Sequence, residues 1–241
     1  MSFRWRSGVS LAVVFVIMAG ANWLRMAHAA QPVALTSTQI VDEMQRRNQW
    51  RTNAQKAAKA TRHYEVEYRG FSKTIVAKME VEYSYTASTG KSFRIVSQSG
   101  SKMLCDKVLK RAVESEKEAS QDQRSSAMTA TNYNFKLLGS ENLNGRPTFI
   151  LDMEPLTASK FLMRGKIWVD AADFAVVKIE AEPAKNPSFW ISRTRILQTF
   201  VKTGDFWPPE RNWSETKVRV GGTAVFTIDY GTYQIESNGL R

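Results

Sequence analysis

The chain has 241 residues and a formal net charge of +11, with 34 Lys and Arg against 23 Asp and Glu. One cysteine, Cys105, and two histidines, His28 and His63, exclude an internal disulfide and leave no ligand set for a His/Cys zinc site. A cysteine nucleophile would need a histidine base, and His63, in Arg62-His63-Tyr64 at the start of an alternating strand, reads as a surface or satisfied histidine.

The first residues read as a secretory leader. Arg4 and Arg6 form a positive start, Gly8 to Ala21 is apolar or small, and Ala27-His28-Ala29 is a small-x-small cleavage site. Residues 1–29 are therefore expected to be removed, and 30–241 to form a single domain. The apolar run is short for a membrane span of about 20 residues. Ala30 stands where a lipid-anchored precursor needs cysteine, so the expected product is periplasmic and without a lipid anchor. Loss of three leader arginines takes the charge from +11 to +8. Export argues against a nucleic-acid partner, and the basic residues are spread among acids as on a solvated surface.

Thr36 and Gln39 form a capping box, and Ile40, Val41 and Met44 make a narrow apolar stripe. The pattern predicts a helix that becomes alanine-rich through Ala60. Strands follow. Tyr64, Val66 and Tyr68 alternate with charged residues, and Ile75, Ala77, Met79, Val81, Tyr83 and Tyr85 share one face of a long strand. At about 3.3 Å per residue, its eleven residues would span roughly 36 Å. A turn through Ser88-Thr89-Gly90 leads to a third strand around Phe93 and Ile95, completing an antiparallel meander.

Asp106 to Ala119 changes period. Val108, Leu109, Ala112 and Val113 fall at helical spacing, and a polar stretch runs on to Ala127. Tyr133–Leu138 and Thr148–Met153 then read as a hairpin across Asn144-Gly145. Phe161–Val169, Ala175–Ala181, Arg193–Lys202, Trp213–Val220 and Ala224–Ile235 complete about ten strands. So long an antiparallel sheet must curl, either closing as a barrel or staying open with helices over its concave face.

Catalytic chemistry finds no constellation. Asp170 and Asp173 look like a carboxylate pair, but turn chemistry between two strands explains both. The chain reads as non-enzymatic, with no cofactor and no metal. Nine Met and twelve Phe supply apolar surface. Met79, Met153 and Met163 sit at strand positions and by themselves read as core. Two loops do not alternate: Pro187-Ser188-Phe189-Trp190-Ile191 and Asp205-Phe206-Trp207-Pro208-Pro209. They are either plugs or aromatic patches at a mouth.

Arg164-Gly165-Lys166-Ile167-Trp168-Val169-Asp170, followed after a short turn by Ala175-Val176-Val177-Lys178-Ile179-Glu180, resembles the outer-membrane lipoprotein-sorting proteins, the LolA-like superfamily with its LolB and RseB/MucB relatives. Phe206-Trp207-Pro208 before a polar strand is similar to a later part of that family. The resemblance implies a mainly β fold: an open, strongly curved antiparallel sheet, an incomplete barrel covered by short lid helices. It implies a carrier of acyl chains of lipoproteins or other lipids towards the outer membrane. The alternative is a regulatory sensor meeting an inner- or outer-membrane protein partner through the Phe189 and Trp207 loops. A monomer is expected. The implied cavity would be lined by Tyr64, Val66, Tyr68, Met79, Val81, Tyr83, Phe93, Met153, Met163, Ile167, Phe189 and Trp190. Carriers of the family hold the lid with an arginine on an early strand. Arg62 and Arg69 lie in that region, and no local motif assigns the role to either.

Overall fold

The computed structural model describes residues 35–121, 123–159, 161–186, 191–219 and 221–238. The leader, Phe189, Trp190 and Val220 lie outside them.

Thr36 caps α1 (Ser37–Ala54): its side chain accepts from the Gln39 N–H, and the Gln39 side chain accepts in return from the Thr36 N–H. The expected stripe is the buried one, Ile40, Val41 and Met44. The helix ends earlier than its alanines suggest. At Gln55 the backbone becomes extended, and β1 runs Gln55–Arg69. Pairing overrides alanine's helix preference here. Ala58 and Ala60 lie opposite Tyr85 and Tyr83, where a small residue leaves room for a large ring.

β1 pairs with β2 (Thr74–Thr86), and β2 with β3 (Gly90–Gly100), giving the expected meander. Ala77, Met79, Val81 and Tyr83 are buried on one face of β2, as the alternation requires. Ile95, opposite buried Val81, is 40% exposed on the edge strand β3, and a bulge at Val96 shifts the pairing of the residues that follow. A helical segment follows: α2 (Lys102–Leu104), a π-helical stretch (Cys105–Leu109) and α3 (Lys110–Gln121), then a short α4 (Gln123–Ser126) where the sequence suggested a polar loop. Cys105, Leu109 and Val113 are four residues apart, a spacing that drifts around an α-helix of 3.6 residues per turn. A wider π turn keeps this series on the sheet side.

β4 (Tyr133–Leu143) and β5 (Arg146–Pro155) form the expected hairpin. Asn144 and Gly145 both have positive φ, 52° and 82°, as a two-residue type I′ turn demands. β6 (Met163–Asp170), β7 (Val176–Pro183), β8 (Ile191–Phe200), β9 (Pro209–Val218), β10 (Thr223–Tyr230) and β11 (Gln234–Ser237) complete the sheet. The expected strand at Trp213 starts earlier, with Pro209 as its first residue, a place where a missing N–H is tolerated. The expected strand Ala224–Ile235 is two, because the chain leaves β1 near Gly231 and rejoins it along Gln55–Lys59.

All pairings are antiparallel, in the order β3-β2-β1-β10-β9-β8-β7-β6-β5-β4, with β11 also against β1. The eleven-stranded sheet is open, an incomplete barrel. An inner seam joins the first strand to the tenth, from Arg62 opposite Tyr230 to Arg69 opposite Thr223. The motif glycine of the 165–183 hairpin is explained by this packing. Gly165 has φ of +144°, and a Cβ there would lie 2.3 Å from the Glu180 carbonyl oxygen. Trp168 is on the polar face, yet buried. Its indole N–H donates to Glu141, and Lys178 lies 4.2 Å from its ring centre.

Candidate functional site

Register decides which side chains share the concave face. Leu151, Ile167, Ile179, Gln198, Asn212, Ile228, Tyr64 and Met79 follow one another across successive strands, so all point the same way. Helices cover this face in two places. α1 lays Ile40, Val41 and Met44 on Leu151, Met153, Ile167, Val169 and Ile179. The π segment and its flanking helices lay Leu104, Cys105, Leu109 and Val113 on Tyr64, Val66, Ala77, Met79 and Val81. Across β8 and β9, between the two, Ile196, Gln198, Asn212 and Ser214 are half-buried and belong to neither core cluster.

The residues assigned from sequence to a ligand cavity thus divide. Tyr64, Val66, Met79 and Val81, with partly buried Tyr68 and Phe93, lie under the second helical segment. Met153 and Ile167, with partly buried Met163, lie under α1. Tyr83 joins Ala58, Ala60 and Tyr233 in a third cluster. Phe189 and Trp190 fall outside the described residues. The concave positions are packed against helices. Two open grooves, of about 370 and 500 Å³, are on the convex side, around Leu197 and Trp213. Among the described residues, none of those assigned to the cavity lines either groove.

Each helical cover is held by one buried arginine. On α1, Arg51 donates from Nε to the Asp205 carbonyl at 2.9 Å and from Nη2 to the Asp173 carbonyl at 2.5 Å. Those acceptors belong to the β8–β9 and β6–β7 loops. Burial pulls the Arg51 pKa down, partly offset by the nearby Asp173 carboxylate. The loops are themselves tied together. Asp170 accepts from Arg146 and from the N–H groups of Ala172 and Asp173. Asp173 accepts from Arg146, Lys202 and the indole of Trp207. Burial alone would raise the Asp170 pKa, but Arg146 and the two N–H groups hold it below the ordinary value. The carboxylate pair is a turn clasp, and Trp207 is engaged in it rather than displayed as an aromatic patch.

Arg62, on β1, holds the second helical segment. It is 2% exposed, donates from Nη1 to Glu116 of α3 at 2.7 Å and from Nη2 to the Tyr233 hydroxyl at 3.2 Å. Its guanidinium carbon lies 3.9 Å from the Tyr83 ring centre, 4.9 Å from that of Tyr230 and 5.3 Å from that of Phe93. Burial works against the charge, but Glu116 and the phenolic oxygens raise the Arg62 pKa above its ordinary value. Burial likewise raises the pKa of Tyr64, Tyr83, Tyr230 and Tyr233, which stay neutral donors. Arg69 instead pairs with Glu67 on the exposed surface. The sequence marked Arg62 only by its place between alternating residues. Its partner Glu116 is 54 residues away, and no local pattern connects them.

Little else offers chemistry. His63 is exposed, on the convex side. Cys105 is buried, its Sγ 3.6 Å from the Ser99 carbonyl. Among the described residues no group of three or more His, Cys, Asp or Glu could hold a metal ion, and no helix is long and apolar enough to cross a membrane.

No family model and no curated protein matches the chain. Solved structures do. A DUF1329 family protein from Desulfovibrio piger is similar over 86% of this chain and 96% of its own, at 13% identity and a TM-score of 0.42. An outer membrane lipoprotein-sorting protein domain from Vibrio parahaemolyticus is similar over 83% and 93%, at 11% identity and 0.40. A LolA superfamily protein from Nitrosomonas europaea is similar over 84% and 94%, at 12% identity and 0.36. These solved structures thus include representatives of the lipoprotein-sorting superfamily that the 165–183 hairpin resembles.

Proposed function

We propose that this protein is a non-enzymatic binder of acyl chains, working in the periplasm after removal of residues 1–29, with residues 30–241 as its single domain. The observation that carries the reading is the second helical cover. Four apolar side chains, Leu104, Cys105, Leu109 and Val113, fill an apolar concave surface. A hydrogen-bonded ion pair, Arg62 with Glu116, fixes the segment that carries them. A removable apolar plug held by a polar latch is what an acyl carrier needs. Each methylene of a ligand tail that replaces the plug contributes roughly 0.8 kcal/mol of burial, so a long chain offsets the loss of the helix contacts. The hairpin resemblance favours lipoprotein acyl chains as the cargo and sorting towards the outer membrane as the purpose.

The test is direct. The gently purified full chain is titrated with a dansyl-labelled fatty acid and weighed by native mass spectrometry. Saturable fluorescence enhancement and co-purified lipid are the expected results. Absence of both would remove the proposal.

A further inference from the structure

The surroundings of Arg62 contain two donors that the closed protein leaves unused. Arg62 is 2% exposed, yet its Nε meets no acceptor. Tyr64 is 1% exposed, and its hydroxyl, beside the Arg62 guanidinium, finds no acceptor for its proton. Both residues point to the same side of β1, two positions apart. A buried donor left unsatisfied costs on the order of 1–3 kcal/mol, so two at one place call for a missing partner. The aromatic walls around them accept no conventional hydrogen bond at Nε. Glu116 takes a single donor of the guanidinium fork with one oxygen, while its other oxygen is 3.7 Å from Lys91 of β3.

We propose that Arg62 and Tyr64 form the headgroup subsite of the acyl site, selecting amphiphiles with an anionic head, a carboxylate or a phosphate. Glu116 is the internal occupant that neutralises Arg62 while the site is empty. The inference rests on the acyl-binding reading above and adds the chemistry of the head. A guanidinium presents five donors in a planar fork, and an anion with two or three oxygens takes Nε and Nη together. The Tyr64 hydroxyl then supplies a third hydrogen bond. The tail has a defined course. From Arg62 the same face of β1 continues through Tyr64, Val66 and Tyr68, opposite Val81, Met79, Ala77 and Ile75 of β2. The site is a cation at one end of an apolar track, and the track is the surface that Leu109 and Val113 now cover.

The experiment compares four probes on the full chain by displacement of a dansyl-labelled acyl reporter: a saturated fatty acid, its methyl ester, a lysophosphatidic acid of equal chain length, and inorganic phosphate alone. The acid and the lysophosphatidic acid are expected to bind about tenfold or more tightly than the ester, the size of one charge-assisted hydrogen bond. Inorganic phosphate should displace little. Arg62→Met should abolish the preference. Tyr64→Phe, which keeps the ring, should weaken the acid several-fold more than the ester. Glu116→Gln should tighten the acid more than the ester, because it removes the internal competitor for Arg62 as well as loosening the cover. Equal binding of acid and ester by the wild type, with Tyr64→Phe affecting neither, overturns the headgroup subsite while acyl binding stands. Binding of no acyl probe overturns both. Displacement by inorganic phosphate as strong as by the lysophosphatidic acid overturns the amphiphile assignment and leaves an anion site.

Discussion

The two helical covers are attached by the same residue type in opposite ways. Arg51 sits on its helix and reaches neutral main-chain carbonyls of two sheet loops, which a web of Asp170, Asp173, Arg146 and Lys202 keeps in place. Arg62 sits on the sheet and waits for a carboxylate that its helix brings. Backbone acceptors do not leave without unfolding a loop, whereas a side-chain carboxylate departs when its helix swings away. On the acyl-binding reading, the first attachment keeps its half of the concave face closed and the second serves as a latch. A cation that stays buried without its partner costs several kcal/mol, so opening requires that water or a ligand head take the place of Glu116 at Arg62.

Four measurements sharpen or break this contrast. The largest expected effect is in the cores. Leu151 and Leu109 are both fully buried. Leu151→Ala, in the half under α1, should lower global unfolding free energy by about 3 kcal/mol in denaturant titration. Leu109→Ala should instead show chiefly as faster amide exchange across the second helical segment, because that segment can detach alone. Equal global losses would merge the two halves into one cooperative core. Next, Arg51→Met should cost about 2 kcal/mol of global stability through two lost charged hydrogen bonds. Glu116→Gln should raise exchange locally with little change in melting temperature.

The third concerns acid. The folded Asp170 carboxyl titrates below its ordinary value of 3.8. The stability from its clasp is therefore complete above that value and disappears as pH falls through the folded pKa. Asp170→Asn should be less stable at neutral pH and lose less stability between about pH 5 and pH 3. A parallel shift at every pH would assign the clasp no part in acid unfolding. The smallest effect is a gain. Tyr64→Phe removes an unsatisfied buried hydroxyl and should stabilise the empty protein by about 1 kcal/mol in thermal melts. Such a gain, alongside weaker binding of an anionic ligand, is the trade expected of a residue kept for binding.

Local chemistry was plain in the sequence where neighbours decide it. Thr36 and Gln39 start α1 through contacts three residues apart. The alternation from Ile75 to Tyr85 selects the buried face of β2, and Asn144-Gly145 sets a turn that only positive φ allows. Distant partners decide the rest. The alanines after Ala54 belong to a strand because Tyr83 and Tyr85 lie opposite them. The π turn serves a surface supplied by β1 and β2. Trp168 breaks the alternation of β6 because Glu141 and Lys178, from other strands, shelter it. The latch was least legible of all. Arg62 and Glu116 are ordinary surface residue types, and only the curl of the sheet brings them together.

The seam between β1 and β10 has a consequence for how the protein is made. A chain emerging from its N-terminus can complete the β1–β3 meander early, but the other edge of β1 has no neighbour until residues 223–230 arrive. From 154 to 168 residues separate the paired positions, and closing contacts of such high sequence separation is slow. For that interval the growing chain carries an unpaired edge, backed by the greasy side chains of Tyr64 and Val66, that invites aggregation. Folding of this protein should therefore be limited by its last hairpin, and truncation before Thr223 should yield insoluble material rather than a smaller stable domain.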